Sequence, residues 1–241
     1  MPDRTFFALP HPDPLLLIPG LNCTERAFVP LLPALWDQTS VGLVNHRRGD
    51  TMSAIAAAIL AEAPPRFALL GFSMGGYIAF EILRQAPDRV TRLCCLATMA
   101  RPDTVEQAEN RRRMVALAEA GKFDSVAGAN FPNTVHPDNA GDIQLKAIHL
   151  SMARATGAAT YIAQQHAILG RTDSRPLLAR ISVPTAVIVG SADQVTGVDG
   201  AKEIAAAIPG AQLTVIEGAG HLVPLERPVE TTTAIVEWLR A

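Results

Sequence analysis

The sequence predicts an α/β fold, a mostly parallel central sheet with helices on both faces and one inserted helical segment. Two observations predict it. Short apolar runs alternate with helical patterns over residues 15–97, and the alternation resumes after about residue 185. Between them, residues 101–180 carry helical patterns and no convincing strand. Parallel strands need long crossovers, and right-handed crossovers place their helices on the two faces of the sheet. The length of 241 residues, with 49% hydrophobic and 18% charged side chains, suits one domain that buries its own core.

Taken in order, Leu15-Leu16-Leu17-Ile18 ends at Pro19-Gly20 and reads as a strand buried on both faces. A helix is expected over 24–35, then a second strand at Val41-Gly42-Leu43-Val44. Asp50-Thr51 can cap a helix that carries Met52, Ile55 and Ile59 at helical spacing. Phe67-Ala68-Leu69-Leu70 is the third strand. The helix after Gly75 carries Ile78, Phe80, Ile82 and Leu83 and stops before Pro87-Asp88. The fourth strand covers 90–97. Helices are then expected over 105–120, 143–152 and 158–169, separated by glycines and prolines from Gly121 to Gly157. A fifth strand, Thr185-Ala186-Val187-Ile188-Val189, leads to a helix at 201–208, a sixth strand Leu213-Thr214-Val215-Ile216 and a final helix at 229–239. The insertion, about 101–180 of a single 1–241 domain, is expected to lie as a lid over the C-terminal ends of the strands, where open α/β sheets bind ligands.

A formal net charge of -2 gives no electrostatic basis for a nucleic-acid or anionic-membrane partner. Arg111-Arg112-Arg113 fans around a helix and reads as a solvated face. No run approaches the ~18 apolar residues of a membrane span. Met1-Pro2-Asp3-Arg4 and the prolines that follow lack the basic and apolar regions of a signal peptide. Cys23, Cys94 and Cys95 form no CxxC or zinc spacing, and adjacent Cys94 and Cys95 point to opposite faces of a strand. They are read as reduced thiols of a cytoplasmic protein.

The chemistry centres on Gly71-Phe72-Ser73-Met74-Gly75-Gly76, a G-x-S-x-G elbow between an expected strand and an expected helix. Such a turn thrusts Ser73 out at the strand end, beside the positive end of the helix dipole. A serine needs a base. His221, in the glycine-rich loop after the last strand, is the candidate, and Asp193, in the loop after the fifth strand, is its orienting acid. The order Ser73, Asp193, His221 is the one this elbow requires. No carboxylate stands at Thr98 or Met99 after the fourth strand, which favours Asp193 and leaves Asp103 as an outside candidate. The oxyanion hole is expected from backbone N–H groups of Met74 and of Leu21, in the loop Pro19-Gly20-Leu21-Asn22.

These segments, with Pro87-Asp88-Arg89-Val90, Gly190-Ser191-Ala192-Asp193 and Gly218-Ala219-Gly220-His221, resemble the α/β-hydrolase superfamily over nearly the whole chain. The similarity is to its lidded, single-domain branch of carboxylesterases and enol-lactonases. Many relatives have His-Gly where this chain has Pro19-Gly20, and Asn45 to Ser53 matches their Asp-x-Arg-Gly-x-Gly-x-Ser pattern only in part. The resemblance implies acyl transfer through an acyl-serine, with no metal or organic cofactor. The expected substrate is a small or medium, mostly apolar ester. Lactonase, thioesterase, carbon–carbon hydrolase and perhydrolase chemistry use the same triad, and a small-molecule binding protein on this scaffold is the alternative from another class.

Overall fold

Leucine and isoleucine at every position of β1 (Leu15–Ile18) leave no polar face, so this strand can only lie inside a sheet covered on both sides. A computed structural model describes residues 10–241 and places it there. The reading of Met1-Pro2-Asp3-Arg4 lies outside the described residues. β1 joins β2 (Val41–Leu43), β3 (Phe67–Phe72), β4 (Val90–Leu96), β5 (Thr185–Gly190) and β6 (Gln212–Ile216) in the order β2-β1-β3-β4-β5-β6. Every pair is parallel. The chain moves outward from β1 to β2 and then returns to β3 on the other side of β1. That reversal opens a crevice at the C-terminal ends of β1 and β3.

Successive strand residues feed two cores. Leu16, Ile18, Phe67, Leu69, Leu93 and Cys95 pack into one, and Leu15, Leu17, Leu70, Phe72, Cys94 and Leu96 into the other. The adjacent cysteines therefore point to opposite faces, and all three are free and buried. The second core holds α1 (Leu32–Trp36). The first holds α2 (Met52–Glu62), whose N-cap Thr51 accepts from the Ala54 N–H, and α3 (Met74–Gln85). Arg89 ties the end of α2 to the sheet by donating to the carbonyls of Leu60, Ala63, Pro64 and Pro65.

Between β4 and β5 the described chain carries helices joined by loops and no strand: α4 (Val105–Leu117), α5 (Phe123–Asn130), α6 (Ile143–Thr156), α7 (Ala158–Leu169) and the short α8 (Arg175–Leu178). After β5 come α9 (Gly197–Ala207), on the α2–α3 face, α10 (Val223–Glu226), and α11 (Pro228–Arg240) on the α1 face. One expectation needs correction, and one element is added. Residues 24–35 do not form one helix; a 3-10 turn at Glu25–Ala27 precedes the five-residue α1. Pro30 lacks an N–H and restricts Val29 before it, so a continuous helix cannot pass. In the insertion, the chain turns at Gly121 (φ 78°), directly after the expected 105–120 helix, and α5 follows as an element not expected from the sequence.

Candidate active site

The elbow is built by close backbone approach. A Cβ on Gly75 would lie 2.2 Å from the Ile18 carbonyl oxygen, and one on Gly71 would lie 2.4 Å from the Gly75 oxygen. Only glycine at both positions lets β1, β3 and α3 meet this tightly. Between them Ser73 adopts φ 55° and ψ -116°, a strained conformation for a residue with a side chain. The strain is held on both sides: the Ser73 N–H donates to Leu96 O at 2.9 Å and the Thr98 hydroxyl donates to Ser73 O at 2.8 Å.

The structure brings Ser73, His221 and Asp193 into one hydrogen-bonded line. His221 Nε2 is 2.8 Å from Ser73 Oγ, and His221 Nδ1 is 2.9 Å from Asp193 Oδ2. Asp193 also accepts from the Val195 and Thr196 N–H groups and from the Thr196 hydroxyl. Burial pushes its carboxyl up, but His221 and the Thr196 bonds outweigh this and hold it below the ordinary carboxylate range. An ionised carboxylate only accepts, so Nδ1 carries the proton and Nε2 is left to accept from the Ser73 hydroxyl. The imidazole rests on the Phe72 ring, 5.4 Å between centroids.

Beside Ser73, the Leu21 and Met74 N–H groups have no acceptor among the described residues. The neighbouring Asn22 N–H is taken by Gln164 Oε1 at 3.2 Å, so Leu21 is the free donor of this loop. The Gly20 carbonyl accepts from Cys23 N–H and from Nε2 of His46 at 3.0 Å. Burial pushes the His46 pKa down to about 4, so the ring is neutral and donates through Nε2–H. Burial pushes the Cys23 thiol up to about 12, which keeps it protonated where it borders the site.

Ser73 opens into a chamber of about 500 Å³, walled by the β1, β3, β5 and β6 loops and by residues from all four long insertion helices, including Arg111, Val126, His149 and Tyr161. Asp193 holds the acid position beside the imidazole, and Asp103 pairs instead with Arg111 and Arg171. Arg112 and Arg113 are exposed as read, whereas Arg111 turns inward. His149, on α6, is buried and its Nε2 lies 3.2 Å from Ala127 O. His46, Arg111, Gln164 and Glu226 escaped sequence reasoning. Each acts through a contact between distant loops or helices, for which local spacing carries no signal.

A family model described as alpha/beta hydrolase fold matches residues 49–228. The pimeloyl-acyl-carrier-protein methyl ester esterase of Neisseria meningitidis serogroup C is 27% identical over 226 residues, 85% of either chain. Among solved structures, a thermophilic esterase from Thermogutta terrifontis superposes with a TM-score of 0.86 at 29% identity, covering 96% of this chain and 91% of its own. The enol-lactonase of Burkholderia xenovorans LB400 shares the fold with a TM-score of 0.85 at 23% identity, over 95% of this chain and 91% of its own. Elbow, strand order and family match converge on one assignment: the chain belongs to the α/β-hydrolase fold family.

Proposed function

We propose that the chain is a serine esterase that cleaves a carboxylic ester through an acyl-enzyme on Ser73. One observation carries the reading. The line Ser73–His221–Asp193 is closed at hydrogen-bond distance, and two unpaired N–H groups stand beside it. The similarity to a methyl ester esterase and to a thermophilic esterase supports ester as the bond type.

In the first half-reaction Ser73 Oγ bonds to the ester carbonyl carbon while its proton passes to His221 Nε2. Asp193 stabilises the imidazolium without taking the proton. The carbonyl oxygen gains charge against the N–H groups of Leu21 and Met74, each worth about 3 kcal/mol in the transition state. The C–O bond then breaks and His221 returns its proton to the leaving alcohol. Water, deprotonated by His221, attacks the acyl carbon and restores Ser73. No step uses a metal or cofactor. The insertion is read as a lid, and a chamber of about 500 Å³ suits a small or medium substrate. Three buried thiols without disulfides fit a reducing, cytoplasmic location.

The test is labelling by a fluorophosphonate probe, with ester hydrolysis measured alongside. Wild type should label. Ser73→Ala, with an unchanged circular dichroism spectrum, should not label and should lose hydrolysis by about 10⁴-fold or more. A folded wild type that neither labels nor hydrolyses esters would overturn the reading.

A further inference from the structure

Among the described residues, Arg111 is the one permanently charged side chain on the chamber wall, and no carboxylate lines it. It sits on α4 facing α7, held in place rather than free. Its Nε donates to Asp103 Oδ2 at 2.6 Å, Nη2 lies 3.4 Å from Asp103 Oδ1, and Nη1 donates to Gln165 Oε1 at 2.9 Å. Gln165 is itself fixed, donating to the Tyr161 hydroxyl at 2.7 Å.

Charge around this group does not balance. Asp103 also accepts from Arg171 at 2.9 Å. Arg171 is the better buried cation, with 4% of its side chain exposed against 20% for Arg111, and its guanidinium stacks 4.5 Å over the Tyr77 ring. Burial pushes the Asp103 carboxyl up, but the bonds and charges of the two arginines outweigh this and hold it low and ionised. One carboxylate thus serves two guanidiniums, leaving a single excess positive charge at the chamber side. A guanidinium has five N–H donors, and three are used here; the other two have no protein acceptor among the described residues. A positioned cation with spare donors, in a wall whose other side chains are apolar, amide, hydroxyl, thiol or imidazole groups, is a preorganised receptor for one anionic group.

We propose that Arg111 is an anion-binding subsite and that the substrate is an ester bearing a free carboxylate apart from the scissile bond. A single charge with two spare N–H groups matches a carboxylate monoanion better than a phosphate dianion. The proposal rests on Ser73 being the nucleophile of this chamber, and it narrows the expectation of a mostly apolar substrate.

The experiment compares monomethyl adipate with dimethyl adipate as substrates of wild type, Arg111→Gln and Arg111→Lys. Wild type should prefer the monoanion. The ratio of kcat/KM for the two esters should fall about 10- to 100-fold in Arg111→Gln, mainly through KM for the monoanion, and partly recover in Arg111→Lys. An unchanged ratio, including equal loss on both esters, overturns the subsite. Binding is read separately from turnover, by thermal shift in the Ser73→Ala background. Monomethyl adipate should stabilise that protein more than dimethyl adipate does, and the difference should vanish when Arg111→Gln is added. Equal shifts overturn the subsite whether or not either ester is hydrolysed. Absence of fluorophosphonate labelling with the expected shifts would instead remove the esterase reading and leave the subsite standing.

Discussion

His46 neither hydrogen-bonds to Ser73 nor lines the chamber, yet it bears on the proposed oxyanion hole through one peptide unit. The Gly20 carbonyl and the Leu21 N–H are opposite ends of the same planar group. His46 holds the carbonyl end at 3.0 Å, which fixes the direction of the N–H end and polarises it further. His46→Leu should therefore lower kcat about tenfold with little change in KM, because the donor it aligns matters most when charge develops on the substrate oxygen. His46→Gln, whose amide can donate to the same carbonyl, should recover much of the loss. Steady-state kinetics on both variants check this, and an equal loss in Leu and Gln variants, or a loss carried by KM, would show that His46 only fills space. The contrast with Ser73, Asp193 and His221 shows which residues a sequence can reveal. Those three follow strands, sit in glycine-marked loops and occur in a fixed order, so covalent neighbours announce them. His46 announces nothing, since its partner lies 26 residues away across a loop crossing. Arg111 was misread for a related reason: three consecutive arginines do fan outward on average, but an insertion helix packed against α7 turns one of them in.

Short α10 performs a joining task that its four residues do not suggest. Glu226, at its end and only 7% exposed, receives the His136 N–H and Asn139 Nδ2 on one oxygen and the Gly220 N–H on the other. The Leu222 N–H donates to Thr134 O at 2.8 Å alongside. The loop that carries His221 is thereby stitched to the 131–139 stretch of the insertion. Glu226→Gln keeps the shape but replaces one acceptor with a donor facing a buried N–H, and should destabilise the protein by about 1–3 kcal/mol. A urea titration would show a lower midpoint, with kcat reduced because the imidazole is less well held. An unchanged midpoint would mean the stitch contributes nothing. At this scale β1, β3 and β5 are the most legible part of the chain, because an unbroken apolar run of four residues closed by glycine or proline has few other uses. Helices were legible where apolar spacing and a cap coincided, as at Thr51 and α2. They are not legible at 24–35, where Pro30 interrupts the helical pattern, nor at α5, whose eight residues carry neither a side-chain cap nor a long apolar repeat.

Across the whole molecule the buried titratable groups set a window of pH in which the fold holds. On the acid side, His46 titrates near 6.5 when exposed and is pushed to about 4 when folded, so the folded chain resists taking up a proton that the unfolded chain binds. Its contribution is fully present above pH 6.5 and is lost as pH falls to about 4, on the order of 3 kcal/mol. Burial also holds the His149 pKa down, which adds in the same direction. Asp103 and Asp193 are held below the ordinary carboxylate value, so their contributions persist to lower pH and disappear only as those carboxylates protonate. The alkaline side has the opposite sign. Burial raises Cys23 and Cys95 to about 12 and Cys94 well above 9.0, so from about pH 9 upward the unfolded chain releases protons that the folded chain keeps. Each such thiol removes about 1 kcal/mol of stability per pH unit, and three together make a steep limb. Thermal denaturation followed from pH 4 to 10 should give a plateau between pH 7 and 8 with a fall on either side. Cys94→Ala should flatten the alkaline limb by about a third while leaving the acid limb unchanged, and His46→Gln should flatten the acid limb alone. A single variant that moved both limbs together would mean that the pH dependence comes from net charge rather than from these buried groups.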